Sequence, residues 1–337
     1  MALRRIANIS ENPDPDWCWL KGKTPTEIEL QWVNFSTAHS NMAGQASLSR
    51  FVAARRLAAT ARKDPFDVII SHGPWPAAWT AGCLGSTKGA AKHFAFSFNF
   101  TELPAGPRRR LMTWAFQHVD EFAVFTRAER QLYAQYFNIP SEKIVLAPWG
   151  VAPPLDNTPM RSIEGLYFSA LGGEARDYAV LCETARRCPD EKFIAIARPH
   201  SFDGLCPPSN LDVRINLPFE DAWAIVYHAE AAIIPLVSRD TPCGIVTLVG
   251  GMHLGKAQIV TNAVGVSDYI SHGRTGLLVD AQDSRAIANA IDALKANPSL
   301  TSKLGRNARR YAQQYCSEAA TVDFFADRLN AWGLFND

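Results

Sequence analysis

The feature that most constrains this chain is a recurrence of short apolar runs that alternate with segments of helical period. The runs are Arg5–Ser10, Asp67–Ser71, His93–Phe98, Glu121–Thr126 and Lys143–Ala147, then Gly165–Leu171, Lys192–Ala197, Ala231–Leu236, Ala257–Thr261 and Gly276–Val279. Most are Val, Ile, Phe and Ala on both faces, as expected of parallel strands covered by helices on each side. Between them, Tyr178, Leu181, Cys182 and Ala185 fall at i, i+3, i+4 and i+7, as do Ile287, Ala290, Ile291 and Leu294. Asp283 or Ser284 reads as the N-cap of the latter helix and Asn297-Pro298 as its stop. The alternation predicts an α/β, doubly wound, Rossmann-like architecture.

The series breaks at Gly150-Val151-Ala152-Pro153-Pro154 and the polar Asp156-Asn157-Thr158-Pro159, which reads as a linker. With 337 residues and about 150 per domain, two domains are expected, 1–152 and 160–316. A ligand cleft is expected beyond the carboxyl ends of their strands.

Composition excludes several classes. Hydrophobic residues make up 47% and charged residues 20%, so a core can form and global disorder is excluded. A net charge of +1 argues against a nucleic-acid binder. No apolar run approaches the ~20 residues of a membrane span. The basic start breaks at Glu11-Asn12-Pro13 and does not read as a signal peptide. The 7 cysteines lack a C-x-x-C pair and zinc-ligand spacing, so reduced thiols, a cytoplasmic location and no metal are expected.

Two segments carry the signature of oxyanion binding. Leu171-Gly172-Gly173-Glu174-Ala175-Arg176-Asp177 follows a strand and opens a helix. Its glycines let the backbone approach a phosphate, and Arg176 can neutralise it. It lacks the third glycine of a dinucleotide fingerprint and the Lys-Ser/Thr of a P-loop, so a tight turn with a surface arginine is the structural alternative. Pro235–Gly255 places a second helix N-terminus, near Ile245, after a strand. Its alternative is a buried helix packing closely through Gly250 and Gly251. Gly265–Val279 reads as a short helix, a turn at Gly273 and a strand.

In the first half, Ser71-His72-Gly73 and Ser97–Glu102 end two strands. His72, Asn99 and Glu102 are the candidate contacts to a hydroxylated acceptor, with His72 equally suited to a structural role. Asp14 and Asp16 could hold a divalent ion or form a solvated turn, and Trp17 and Trp19 could stack on a sugar or plug a loop.

The strings "GVSDYISHGRTGLLVD", "DSRAIANAIDAL" and "LGRNARRYAQQY" closely resemble the C-terminal end of retaining glycosyltransferases of family 4, which have the GT-B fold of two Rossmann-like domains. "VFTRAERQLYAQYFNIPSEKIVLAPWGV" resembles the end of their N-terminal domain. The resemblance covers essentially the whole chain. It implies transfer from a nucleotide-sugar, commonly a UDP-sugar such as UDP-glucose, to a saccharide or lipid-linked saccharide in polysaccharide or glycoconjugate biosynthesis, with no essential metal or other cofactor. It also implies that 317–337 form a helix crossing back to the first domain, a role that Phe324, Phe325, Leu329 and Trp332 fit. Gly172, Gly173 and Arg176 match its donor-phosphate turn, and Asn216-Leu217-Pro218 the segment lining the base pocket. Thr241, Cys243, Gly244, Ile245, Val246 and Thr247 lie in the loop bordering sugar and phosphates. Gly22 matches the N-terminal loop approaching the diphosphate.

The chain departs from that pattern. Gly250 stands where the family has a glutamate that holds the ribose, and Pro242 or Thr241 stands at its partner glutamate. The histidine expected after the third or fourth strand is replaced by Asn99 or Ser97. Arg198 is the candidate for the missing phosphate lysine. These departures keep two alternatives open: a non-catalytic nucleotide- or partner-binding protein, and a UDP-sugar epimerase of the same fold.

The net charge hides an asymmetry. Residues 1–150 carry 17 Lys/Arg against 12 Asp/Glu, or +5, and the remainder carry 17 against 21, or −4. Arg50, Arg55, Arg56, Arg62 and Lys63 recur along one predicted helix, and Arg108-Arg109-Arg110 precedes Leu111, Met112, Trp114 and Phe116. Such a cluster suits peripheral contact with an anionic membrane at its inner face, a grip on an anionic acceptor, or a solvated helix face.

Overall fold

The structure is a computed structural model that describes residues 2–11, 20, 22–38, 45–85, 89–237 and 241–335. Asp14, Asp16, Trp17 and Trp19 lie outside the described residues. The chain divides into two units, Met1–Pro148 with Thr321–Asp337, and Trp149–Ala320.

The first unit runs β1 (Ala2–Ser10), β2 (Ile28–Ser36), α1 (Gln45–Lys63), β3 (Val68–His72), α2 (Pro74–Leu84), β4 (Lys92–Phe96), α3 (Gly106–Phe116), β5 (Glu121–Val124), α4 (Arg127–Phe137) and β6 (Ile144–Leu146). Its six strands form a parallel sheet in the order β2-β1-β3-β4-β5-β6. The central strand β3 is buried over Val68–Ser71, as the apolar runs predicted. Phe98 anchors one side of the core, with edge-on contacts to Phe116, Phe122 and Tyr133. Burial of each such ring is worth about 1.5–3 kcal/mol. Thr126 caps α4, accepting from the Glu129 N–H at 3.1 Å. Burial pushes the Glu129 carboxyl up to about 7.

The second unit continues β7 (Phe168–Leu171), α5 (Tyr178–Arg187), β8 (Phe193–Ala197), β9 (Leu211–Ile215), α6 (Phe219–His228), β10 (Ala232–Ile234), α7 (Ile245–His253), β11 (Gln258–Thr261), β12 (Leu277–Val279), α8 (Ser284–Ala296) and α9 (Pro298–Tyr315). Its six strands are also parallel, in the order β12-β11-β10-β7-β8-β9. All of β8 is buried. Asp283 caps α8 by accepting from the Ala286 N–H at 2.8 Å. Each unit is thus Rossmann-like.

Two strands, β2 and β9, were not expected from the sequence. Both are sheet edges. Their residues are mostly half-buried and interleave polar side chains, so neither has the two-sided apolar signature. The proline-rich stretch after Gly150 belongs to the second unit, where Leu155 packs beside Trp223.

The last helix, α10 (Glu318–Ala331), places its C-terminal part in the first unit. There Phe325 lies 4.6 Å from Phe96 and Trp332 lies 5.4 Å from Phe94, ring centre to ring centre. Lys23 pairs with Asp323 at 2.6 Å and Arg328 with Glu121 at 3.6 Å. Among the described residues no helix is long and apolar enough to cross a membrane.

Candidate functional site

In the second unit the predicted phosphate turn is a built structure. β7 ends at Leu171, and Gly172 takes φ +140°, where an added Cβ would come 2.5 Å from the Arg176 guanidinium. The Arg176 side chain folds back beneath its own loop. Its Nε donates to Leu171 O at 3.1 Å, Nη1 to Glu174 O at 3.0 Å and Nη2 to Thr247 Oγ1 at 2.8 Å. Burial pushes the Arg176 pKa down from its ordinary value. A guanidinium has five N–H donors, and these bonds use three of them.

The turn is stitched to the end of β10. Val237 N donates to Ala175 O at 3.0 Å and Asp177 N to Pro235 O at 2.9 Å. The Tyr178 hydroxyl donates to Gly172 O, and its ring stacks on Phe202 at 4.4 Å. Asp177 caps α5, accepting from Val180 N at 3.0 Å.

Helix α7 starts against this turn. Its N-cap, Gly244, has φ 77° and no side chain to bond the first N–H groups. A Cβ there would meet Leu236 Cδ2 at 2.7 Å and Arg176 Nη1 at 3.4 Å. The cap must therefore be glycine, and the helix N-terminus has no side-chain cap on its first N–H groups. Thr247 ties its first turn to Arg176. Thr241 and Ile245 are buried, Cys243 is half-buried and Val246 is exposed. Arg198, after β8, leans over Gly173, where a Cβ would meet its side chain at 2.5 Å. It pairs with Glu174 at 2.8 Å while remaining two-thirds exposed. Thus Gly172, Gly173, Arg176, Arg198, Gly244 and Thr247 form one connected cradle at the carboxyl ends of β7, β8 and β10, around the α7 N-terminus. Glu174 and Tyr178 complete it. The sequence offered no signal for them beyond their place in the turn.

Asn216 (φ 51°) follows β9, and its N–H donates to Ala197 O at 3.1 Å, directly before Arg198. Leu217 instead lines a cavity of about 840 Å³ floored by Pro153–Pro159. Gly250, the position of the expected glutamate, packs against α6. A Cβ there would come 2.2 Å from the Trp223 ring.

In the first unit a second cavity, of about 450 Å³, opens at the carboxyl ends of β1, β3 and β4. His72, Asn99 and Trp75 line it. So does Arg50, which pairs with Glu11 at 2.6 Å. Arg50 therefore turns into the cavity and does not belong to the outward basic face expected of α1. His72 lies edge-on to Phe96 at 5.5 Å, and burial pushes its pKa down to about 4. The ring is neutral at ordinary pH and suited to hydrogen bonding with a hydroxyl. With β2 counted, His72 ends the third strand, a place where the resemblance expects a histidine. Ser97 holds φ 53° in the same rim. Glu102 is exposed and outside the cavity lining. Gly22 (φ 91°) sits in an exposed turn leading to β2, and among the described residues, its chain neighbours aside, none comes within 4 Å of where its Cβ would be.

Two family models match the chain. Residues 212–311 match the glycosyl transferases group 1 model, and residues 17–153 match glycosyltransferase family 4. The chain belongs to this glycosyltransferase family. A D-inositol 3-phosphate glycosyltransferase of Streptomyces avermitilis is 22% identical over 170 residues, 46% of this chain and 36% of that protein. A glycosyltransferase of Rickettsia africae shares the fold with a TM-score of 0.70 at 12% identity, covering 99% of both chains. HepE of Anabaena, solved with UDP, has a TM-score of 0.68 at 13% identity, covering 98% of this chain and 100% of that one.

Proposed function

We propose that this glycosyltransferase moves a sugar from a nucleotide diphosphate donor, a UDP-sugar, to a hydroxyl of a saccharide or lipid-linked saccharide, with retention at the anomeric carbon. The observation that carries the reading is the cradle in which the uncapped α7 N-terminus, the Gly172-Gly173 turn, Arg176 and Arg198 converge. Its chemistry is that of diphosphate recognition: backbone N–H donors, a helix dipole and two guanidiniums. The UDP complex of HepE, a protein of the same fold, supports the choice of base.

In this mechanism the bond from the sugar C1 to the β-phosphate oxygen breaks, and the diphosphate keeps the electron pair. The α7 N-terminus and Arg198 stabilise the charge that develops there, which is electrostatic catalysis by preorganised donors. The acceptor oxygen bonds to C1, and its proton passes to the departing phosphate oxygen. His72 and Asn99 hydrogen-bond the acceptor hydroxyl, and Trp75 offers an aromatic wall to its ring. The reading draws on these groups for charge neutralisation and invokes no metal.

A lipid-linked acceptor would bring the enzyme to a membrane. Helix α3 has the side chains for such contact: Arg108 and Arg110 are exposed beside Leu111, 40% exposed, and Trp114, 53% exposed.

The test is thermal unfolding with UDP, GDP and ADP, followed by assay of nucleotide release from UDP-sugars. Stabilisation by UDP and slow UDP release support the reading. No shift with any nucleotide points to a partner-binding protein, and a free sugar isomer as product points to an epimerase.

A further inference from the structure

We infer that the second unit carries a separate site for a sugar bearing an oxyanion, a carboxylate or a phosphate, between the Ser267–Thr275 loop and α9. The loop and the C-terminal half of α9 enclose a cavity of about 380 Å³. It shares no lining residue with the donor cradle. Its volume falls within the range of small-ligand sites and fits a sugar ring with one substituent.

Two guanidiniums line it, Arg274 from the loop and Arg310 from α9. Neither makes an ion pair or a side-chain hydrogen bond among the described residues, and both are exposed. Asp268 is the one carboxylate in the lining, so the two arginines leave it net positive. Two guanidinium forks on the lining of one cavity supply the donors that carboxylate or phosphate recognition uses.

The rest of the lining suits a hydroxylated ring. Ser267, Ser271 and Asn307 supply neutral donors and acceptors, and Tyr315 supplies an aromatic surface that is half exposed. Asn307 is held in place, its Nδ2 donating to Arg274 O at 2.9 Å. Tyr311 donates to Asp268 O at 3.1 Å and packs 5.0 Å from Tyr315. The walls are therefore fastened to each other before any ligand arrives, which lowers the ordering cost of binding.

The test is calorimetry on the full chain with glucose 6-phosphate, glucuronate, glucose and inorganic phosphate, in the absence of nucleotide. The donor reading can therefore fail while this site stands. Glucose 6-phosphate or glucuronate is expected to bind at least tenfold more tightly than glucose or inorganic phosphate. Arg274→Ala and Arg310→Ala are each expected to weaken that binding about tenfold. Both side chains are exposed and unpaired, so the variants should fold, and unchanged circular dichroism melting checks this. No binding by either anionic sugar, or binding that survives the double variant, overturns the proposal. Inorganic phosphate binding as tightly as glucose 6-phosphate overturns the assignment to a sugar.

Discussion

The Trp223 indole occupies the space into which any side chain at Gly250 would grow, with a built Cβ only 2.2 Å from the ring. α6 and α7 thus pack as a large-on-small pair, and Trp223 is 5% exposed. Gly250→Glu should not restore a ribose contact; it should disrupt this packing. Gly250→Ala is expected to cost about 1–3 kcal/mol, roughly 3–10 °C in melting temperature for a unit of this size. Trp223→Leu should relieve part of that cost in the double variant. A Gly250→Glu protein that melts like the parent would refute the packing argument.

Arg176 and Arg198 should behave differently although both line the cradle. Arg176→Ala strands the acceptors Leu171 O, Glu174 O and Thr247 Oγ1, so it should lose about 1–3 kcal/mol of stability as well as the UDP-induced shift. Arg198→Ala should leave the unliganded melting temperature within ~1–2 °C and weaken UDP, because its pair with Glu174 is exposed. Calorimetry and melting of both variants, with and without UDP, separate the two roles.

Much of this cradle was legible in the sequence because it is local. Gly172, Gly173 and Arg176 are close neighbours in a strand-to-helix turn, and such turns repeat a small set of geometries. What the sequence could not show is where the Arg176 fork points, since Thr247 is distant in the chain. Nor could it show that Arg50 turns inward to Glu11. The edge strands β2 and β9 escaped for a different reason: a sheet edge does not require both faces of its strand to be apolar. Glu102 looked like a companion of His72 and Asn99 because it follows a strand end in the sequence, yet it is exposed and lies outside the cavity lining.

His72 makes a prediction in pH. Its pKa falls from 6.5 to about 4 in the folded protein, so between those values the unfolded chain binds more protons. The stability this provides is present above pH 6.5 and is lost as pH falls toward 4. His72→Gln removes the titration. Urea midpoints taken from pH 7 to 4.5 should therefore fall less steeply for the variant, and parallel slopes would contradict the burial of the imidazole.

Membrane contact through α3 can be isolated with Arg108→Ala/Arg110→Ala. Arg109 is left intact because it donates to Tyr136 O at 2.9 Å and its guanidinium lies 4.0 Å from the Tyr136 ring centre. Flotation with vesicles containing anionic lipid should recover the parent at low salt, less at high salt, and much less of the variant. Equal recovery of both proteins, or none of the parent, would remove α3 from the membrane.

The return of α10 to the first unit has a consequence for synthesis. Phe94 and Phe96 of β4 are covered by Phe325 and Trp332, which leave the ribosome after the whole second unit. The unit that contains β4 is therefore completed only after the second unit has been made, and until then it carries an open aromatic face that a chaperone would reveal.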